Sequence, residues 1–204
     1  MKLYYSPGAC SMSDHITLEW IGQPYTTERM TKESLKSPEY LKLNPAGAVP
    51  VLDIEGWPLT QNAAILNYLA DTFPQAALGG DGSPKGRAEV NRWLAFFNAD
   101  VHPAFQPLLG STSYLDDAAA EETKKKARSK LRDLFGRADQ QLQDKEWLTG
   151  TRSIADPYLF VTLRWAKARN VDLAGYENLS RFFERMLVDP AVAKVLVDEG
   201  LEQP

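Results

Sequence analysis

Two hundred and four residues, 44% of them hydrophobic and 25% charged, can bury a sizeable core, which excludes a disordered chain. The formal charge of −4 speaks against a nucleic-acid partner, and no apolar run approaches the ~18 residues that cross a bilayer. One cysteine excludes an internal disulfide, the two histidines and that cysteine lack zinc-site spacing, and the N-terminus carries no secretory pattern, so the expectation is a metal-free cytoplasmic protein with no membrane role.

Lys2 to Tyr5 is a short apolar and aromatic run closed by Ser6-Pro7-Gly8, which predicts a strand and a loop. Ser11-Met12-Ser13-Asp14 has the spacing of a capping box, so a helix capped by Ser11 is predicted through Ile16, Leu18, Trp20 and Ile21 to a stop at Gly22. His15 lies inside it, at a spacing that suggests packing or solvent and no chemical role. Residues 24–30 read as a second strand, and Ser34 to Leu43 as a loop with a short helix. Val49 to Ile54 and Trp57 to Thr60 read as a hairpin turning at Glu55-Gly56. Asn62 is predicted to cap a helix carrying Ile65, Leu66, Tyr68, Leu69 and Phe73. The opening strand–helix–strand favours a parallel pair, so residues 1–74 are expected to form an α/β domain.

Residues 75–84, rich in Gly and Pro, read as a linker. From there to residue 204 every apolar stripe has helical spacing, which predicts an all-α domain over 85–204. One stripe is Val90, Trp93, Leu94, Phe97 and Val101. Others run from Leu131 to Leu142, Ile154 to Trp165, Leu179 to Met186 and Val192 to Leu196. Lys124-Lys125-Lys126 follows Glu121-Glu122 and reads as a solvated helix face. Ser153-Ile154-Ala155-Asp156 is a second capping box, expected to matter for stability.

Four places could carry chemistry. Cys10 lies between a Gly-containing loop and a helix start, where free N–H groups and the helix dipole favour an anion. Such a thiol is either ionised and reactive or a buried small residue, and position alone leaves both open. The same helix start could serve a bound thiol. Val49-Pro50 opens the third strand; a cis bond there would turn the Val49 backbone toward an extended peptide. Gln61-Asn62 starts a helix whose N–H groups could hold a carboxylate, although Asn62 as a plain cap explains it equally. Asn98 and His102 share one helix face, which Pro103 should kink.

Together these pieces resemble the bacterial beta class of glutathione transferases. The resemblance is carried by Lys2-Leu3-Tyr4-Tyr5-Ser6-Pro7-Gly8-Ala9-Cys10-Ser11, Asn44 to Leu52, Leu59 to Ile65, Trp93 to His102, Ser153 to Phe160 and Arg164-Trp165, in that order along nearly the whole chain. It implies a thioredoxin-like N-terminal domain holding glutathione, a C-terminal helical bundle holding a small hydrophobic electrophile, and a homodimer active in detoxification. It implies that Ala9 and Cys10 lie against glutathione, that Val49 beside a cis Pro50 pairs with its cysteinyl part, and that Gln61 and Asn62 hold its γ-glutamyl end. Lys32 would reach the glycyl carboxylate. Asn98 and His102 would face the ligand from the helical half, and Asp100 the ligand of the partner subunit. Catalysis would rest on Cys10 and His102, with Ser11 and Tyr5 as further stabilisers, since other classes use a serine or tyrosine there. The alternatives are a glutathione-dependent thiol transferase or peroxidase using Cys10, and a non-catalytic binding relative. The chain departs from the class at Gln61, where an acidic residue is expected, at Ala95, where an asparagine is, and at Pro103, where a lysine is.

Overall fold

The computed structural model describes residues 1–110 and 112–202, so the last two residues of the expected helical domain lie outside the described residues. The first half runs β1 (Lys2–Tyr5), α1 (Ser11–Ile21), β2 (Thr26–Arg29), α2 (Pro38–Leu43), β3 (Val51–Ile54), β4 (Trp57–Thr60) and α3 (Asn62–Thr72). The sheet order is β2-β1-β3-β4. β1 lies parallel to β2, with Leu3 opposite Thr27, and antiparallel to β3, with Leu3 opposite Leu52. This is a thioredoxin-like half. Strand alternation divides β1 between two layers. Leu3 and Tyr5 pack with Leu18 of α1 and Ile65 and Leu69 of α3, while Tyr4 faces Tyr40 of α2 on the other side.

Two predicted caps fail. Cys10, not Ser11, takes the position before α1, with helical dihedrals and no side-chain cap bond. The first turn of α1 is buried, so its hydroxyls serve the preceding loop: Ser11 Oγ accepts from Ser6 N at 3.3 Å and Ser13 Oγ donates to Cys10 O at 2.7 Å. Likewise Asn62 is the first residue of α3, and Gln61 holds the cap position.

The second half runs α4 (Pro84–Phe96), a π turn over Phe97–Val101, α5 (His102–Ala104), α6 (Asp117–Gln141), α7 (Ala155–Ala168), α8 (Glu177–Val188) and α9 (Pro190–Asp198). The π turn has a cause in the sequence: Pro103 has no N–H to donate, so the ladder slips just before it. α6 begins well before its apolar stripe, at a cap where Asp116 accepts from Ala119 N at 2.8 Å. Its early turns carry the solvated lysines, paired as Lys124–Glu121 and Lys126–Glu122. The second capping box is half made: Ile154, not Ser153, takes the position before α7 with no side-chain cap bond, while Asp156 Oδ2 accepts from Ser153 N at 2.7 Å and Ser153 Oγ at 2.9 Å.

The halves share one core. Met12 and Ile16 of α1 and Leu66 of α3 are fully buried in the cluster that contains Trp93, Phe97 and Tyr158. Polar clasps add to it. His15 is buried and pairs through Nδ1 with Glu199 Oε1 at 3.1 Å, while Glu199 Oε2 accepts from Gly8 N at 2.8 Å. Trp165 Nε1 donates to Gly8 O at 2.7 Å. Both backbone groups of Gly8 are thus held by the helical half. Its φ of 71° is in the left-handed region, which suits a residue without a Cβ.

Candidate active site

The loop anchored through Gly8 ends at Cys10, which is partly exposed at the start of α1. The Cys10 thiol donates to Val49 O at 3.7 Å, and the Val49–Pro50 bond is cis. Around this point two cavities meet. A small one of about 150 Å³ is lined by Cys10, Asn44, Val49, Pro50, Gln61, Asn62, Asn98, His102 and Tyr158, among others. A larger one of about 460 Å³ is lined by Pro7, Gly8, Ala9, Cys10, Leu35, Leu109, Trp165 and Arg169, and also by Val49 and His102. Cys10, Val49 and His102 therefore stand at the junction of a polar recess and a mainly apolar one.

Helix α3 begins at the polar recess, so its first N–H groups and the positive end of its dipole meet an anion placed there. Gln61, at that start, has φ 73° and ψ 111°. For a residue with a Cβ this conformation costs about 1–3 kcal/mol, the kind of strain that collects at ligand sites. Asn62 is nearly buried. Turned so that its nitrogen donates, its amide meets Asp14 Oδ2 at 2.7 Å and Ser13 Oγ at 3.0 Å. Its side chain is thus committed to α1, which leaves backbone N–H groups for a ligand.

Burial sets the ionisation. Desolvation, with the buried Asp14 carboxyl adding to it, pushes the Cys10 thiol up to about 12, and the N–H groups of Cys10 and Ser11 offset this only in part. Of the two readings that position left open, this balance favours the protonated thiol at neutral pH. Burial pushes Asp14 well above the usual carboxylate range. It lowers His102, so the imidazole is neutral at pH 7. His102 Nδ1 bonds the Tyr158 hydroxyl at 2.7 Å.

Ala9, Cys10, Val49, Pro50, Gln61, Asn62, Asn98 and His102 each line one or both of these cavities. Four residues do not. Tyr5 shares a sheet face with Leu3, so its hydroxyl points into the core and donates to Asp198 O at 3.4 Å. The Ser11 hydroxyl is fully buried against Ser6. Lys32 is exposed in a turn after β2 and lines neither cavity. Asp100 is exposed on the π turn, outside both. The sequence reading missed Tyr158, Trp165 and Asn44 as site residues. The signal was available for the first two: a tyrosine or tryptophan in an apolar helix stripe needs a partner for its polar atom.

Comparison with known proteins places this geometry in a family. Residues 1–71 match the family model for the glutathione S-transferase N-terminal domain, and residues 92–190 that for the C-terminal domain. The chain is 56% identical over 203 residues to glutathione S-transferase GST-4.5 of Xanthomonas campestris pv. campestris, covering 98% of this chain and all of the other. A solved glutathione S-transferase from Xylella fastidiosa superposes with a TM-score of 0.96 at 53% identity, over 98% of this chain and 99% of that one. A sphingomonad glutathione S-transferase complexed with glutathione superposes with a TM-score of 0.87 at 33% identity, over 99% of this chain and all of that one.

Proposed function

This chain belongs to the glutathione S-transferase family, with bacterial beta-class members among its structural neighbours, and from that premise we propose how its cleft conjugates the thiol of reduced glutathione to small hydrophobic electrophiles. Glutathione lies across the polar recess. Its γ-glutamyl end meets the α3 start at Gln61 and Asn62, and its cysteinyl backbone meets Val49 beside Pro50. Gln61 supplies neutral hydrogen bonds where an acidic residue would supply charge-assisted ones. The sulfur sits between Cys10 and His102. The observation that carries this reading is that, among the described residues, these two alone of the titratable ones line both cavities, so a sulfur held there faces the apolar space where an electrophile fits.

The chemistry needs no covalent enzyme intermediate. Neutral His102 takes the glutathione proton, the Cys10 thiol and the α1 N–H groups stabilise the resulting thiolate, and the thiolate attacks the electrophile while its leaving group departs. A thiol-transferase or peroxidase reading would need an ionised Cys10, which burial opposes. We also propose a cytoplasmic, detoxifying homodimer, with Asp100 near the ligand of the partner subunit.

The test is calorimetric titration with glutathione, followed by conjugation of an aryl halide by the parent and by Cys10→Ala. Saturable binding, with the variant within about tenfold of the parent, supports conjugation. Absence of glutathione binding would refute the site. Loss of turnover in Cys10→Ala, with thiol-transferase activity in the parent, would move the assignment to redox chemistry.

A further inference from the structure

One wall of the larger cavity is a single face of α7, where Trp165, Ala168 and, just past the last helical residue, Arg169 stand at i, i+3 and i+4. Trp165 packs on His102, with ring centroids 4.8 Å apart. Arg169 N donates to Trp165 O at 2.9 Å, so the arginine stands one turn beyond that tryptophan, about 6 Å further along the helix. Among the described residues, Arg169 is the one charged side chain lining this cavity: burial keeps His102 neutral, and no carboxylate lines it.

A helix end carries the negative pole of its dipole, which suits a cation. That accounts for an arginine anywhere on the last turn of α7, but not for one on the cavity face. Nearby arginines have partners in the fold: Arg132 pairs with Asp172 at 3.2 Å, and Arg164 donates to Glu202 O at 3.4 Å. The Arg169 guanidinium has no ion pair or hydrogen bond among the described residues. Arg128 Nε donates to Arg169 O at 3.1 Å, which covers a carbonyl that would otherwise repel an anion. Two carboxylates could come near. From the α3 start beside Pro50, glutathione runs past Val49 toward Ala48, Gly47 and Leu35, so its glycyl carboxylate falls on the wall of the N-terminal half. Arg169 stands on the wall given by α7, where the electrophile fits.

We propose that the electrophiles this cleft prefers carry a carboxylate, about one aromatic ring away from the carbon attacked, and that Arg169 is the side chain that selects them. This rests on the conjugation reading above. With an aryl halide, the glutathione sulfur bonds the ring carbon that bears the halogen, the halide leaves with the bonding pair, and the thiol proton goes to His102. The carboxylate takes no part in these bond changes and serves binding alone.

The test compares a chloronitrobenzoate, its carboxylate para to chlorine, with the matching chloronitrobenzamide, which has the same leaving group and shape but no charge. Each kcat/KM is divided by the uncatalysed rate with glutathione, and the benzoate-to-amide ratio is read in the parent, Arg169→Gln and Arg169→Lys. The parent should favour the benzoate about fivefold to tenfold. The ratio should fall to about one in Arg169→Gln and stay above that in Arg169→Lys, and about 1 M salt should lower it in the parent. KM for glutathione should move by less than about twofold. A parent ratio near one, or a ratio that Arg169→Gln leaves in place, overturns the proposal, while turnover of the amide still upholds conjugation. A raised KM for glutathione in Arg169→Gln with the ratio unchanged would give the guanidinium to the glycyl carboxylate and overturn it too. If the parent conjugates neither compound, the conjugation reading falls and the proposal with it.

Discussion

At Cys10 two opposing effects act on one sulfur, and their magnitudes decide its role. N–H groups at a helix start favour a thiolate, but those of Cys10 and Ser11 are outweighed by desolvation and by the nearby Asp14 carboxyl. With the thiol pushed up to about 12, under about 1% of it is ionised at pH 7. Alkylation of Cys10 by iodoacetamide is accordingly expected to be slow at neutral pH and to keep climbing about tenfold per pH unit through pH 9 without levelling. A plateau below pH 8, measured by mass spectrometry on the unliganded protein, would show an ionised thiol instead. The position of Cys10 at the mouth of α1 was legible in Gly8-Ala9-Cys10-Ser11. Its ionisation was not, because Asp14 is a helix-cap candidate in the sequence and a buried neighbour only after folding.

Elements were legible where the pattern is local. Gly22 ends α1 with φ 71° and its N–H on Leu18 O at 3.0 Å, and the Glu55-Gly56 turn joins β3 to β4 with positive φ at both residues. The two capping boxes show where locality runs out. Ser153-to-Asp156 keeps the carboxylate half of one, because the chain ahead of α7 is buried and its donors must be met within the segment. Ser11-to-Asp14 does not, because Ser6 and Asn62, distant in sequence or outside the helix, claim its side chains. Asp156 also accepts from Leu148 N at 3.0 Å, tying the chain before the box to the helix start. Asp156→Ala would strand the donors of Leu148 N, Ser153 N and Ser153 Oγ in a dry interior, at about 1–3 kcal/mol each before relaxation. A net loss of about 3–5 kcal/mol is expected, a drop in Tm of about 6–20 °C in a melt followed by circular dichroism. Glutathione affinity of the folded protein should be unchanged, since Asp156 lines neither cavity. A shift under about 2 °C would mean that water or backbone movement satisfies those donors.

The whole molecule behaves differently from the sum of its two sequence-defined parts. The change of character near residue 75 suggests two domains that could fold separately, yet α1 is amphipathic toward both. Met12, Ile16 and Leu66 belong to the core of the helical half, while Leu18, Ile65 and Leu69 serve the sheet. No local pattern distinguishes these two sets, which is why the junction was not legible. Nor did any pattern mark Glu199, whose buried carboxyl holds both His15 and Gly8. Exposing Met12, Ile16 and Leu66 would cost up to about 5–9 kcal/mol at roughly 1.5–3 kcal/mol per side chain. A domain of about 70 residues has only about 3–5 kcal/mol of its own. Residues 1–74 on their own should therefore lack a cooperative melt. The full chain should unfold in one transition, with circular dichroism and tryptophan fluorescence tracing the same curve in urea. Four of the five tryptophans lie outside β4: Trp20 on α1, Trp93, Trp147 and Trp165 beyond the linker. A fluorescence curve that precedes the loss of ellipticity, or a folded 1–74 fragment, would show that the shared core is weaker than the clasp at Gly8. The catalytic cleft would then close only when both halves have folded and docked.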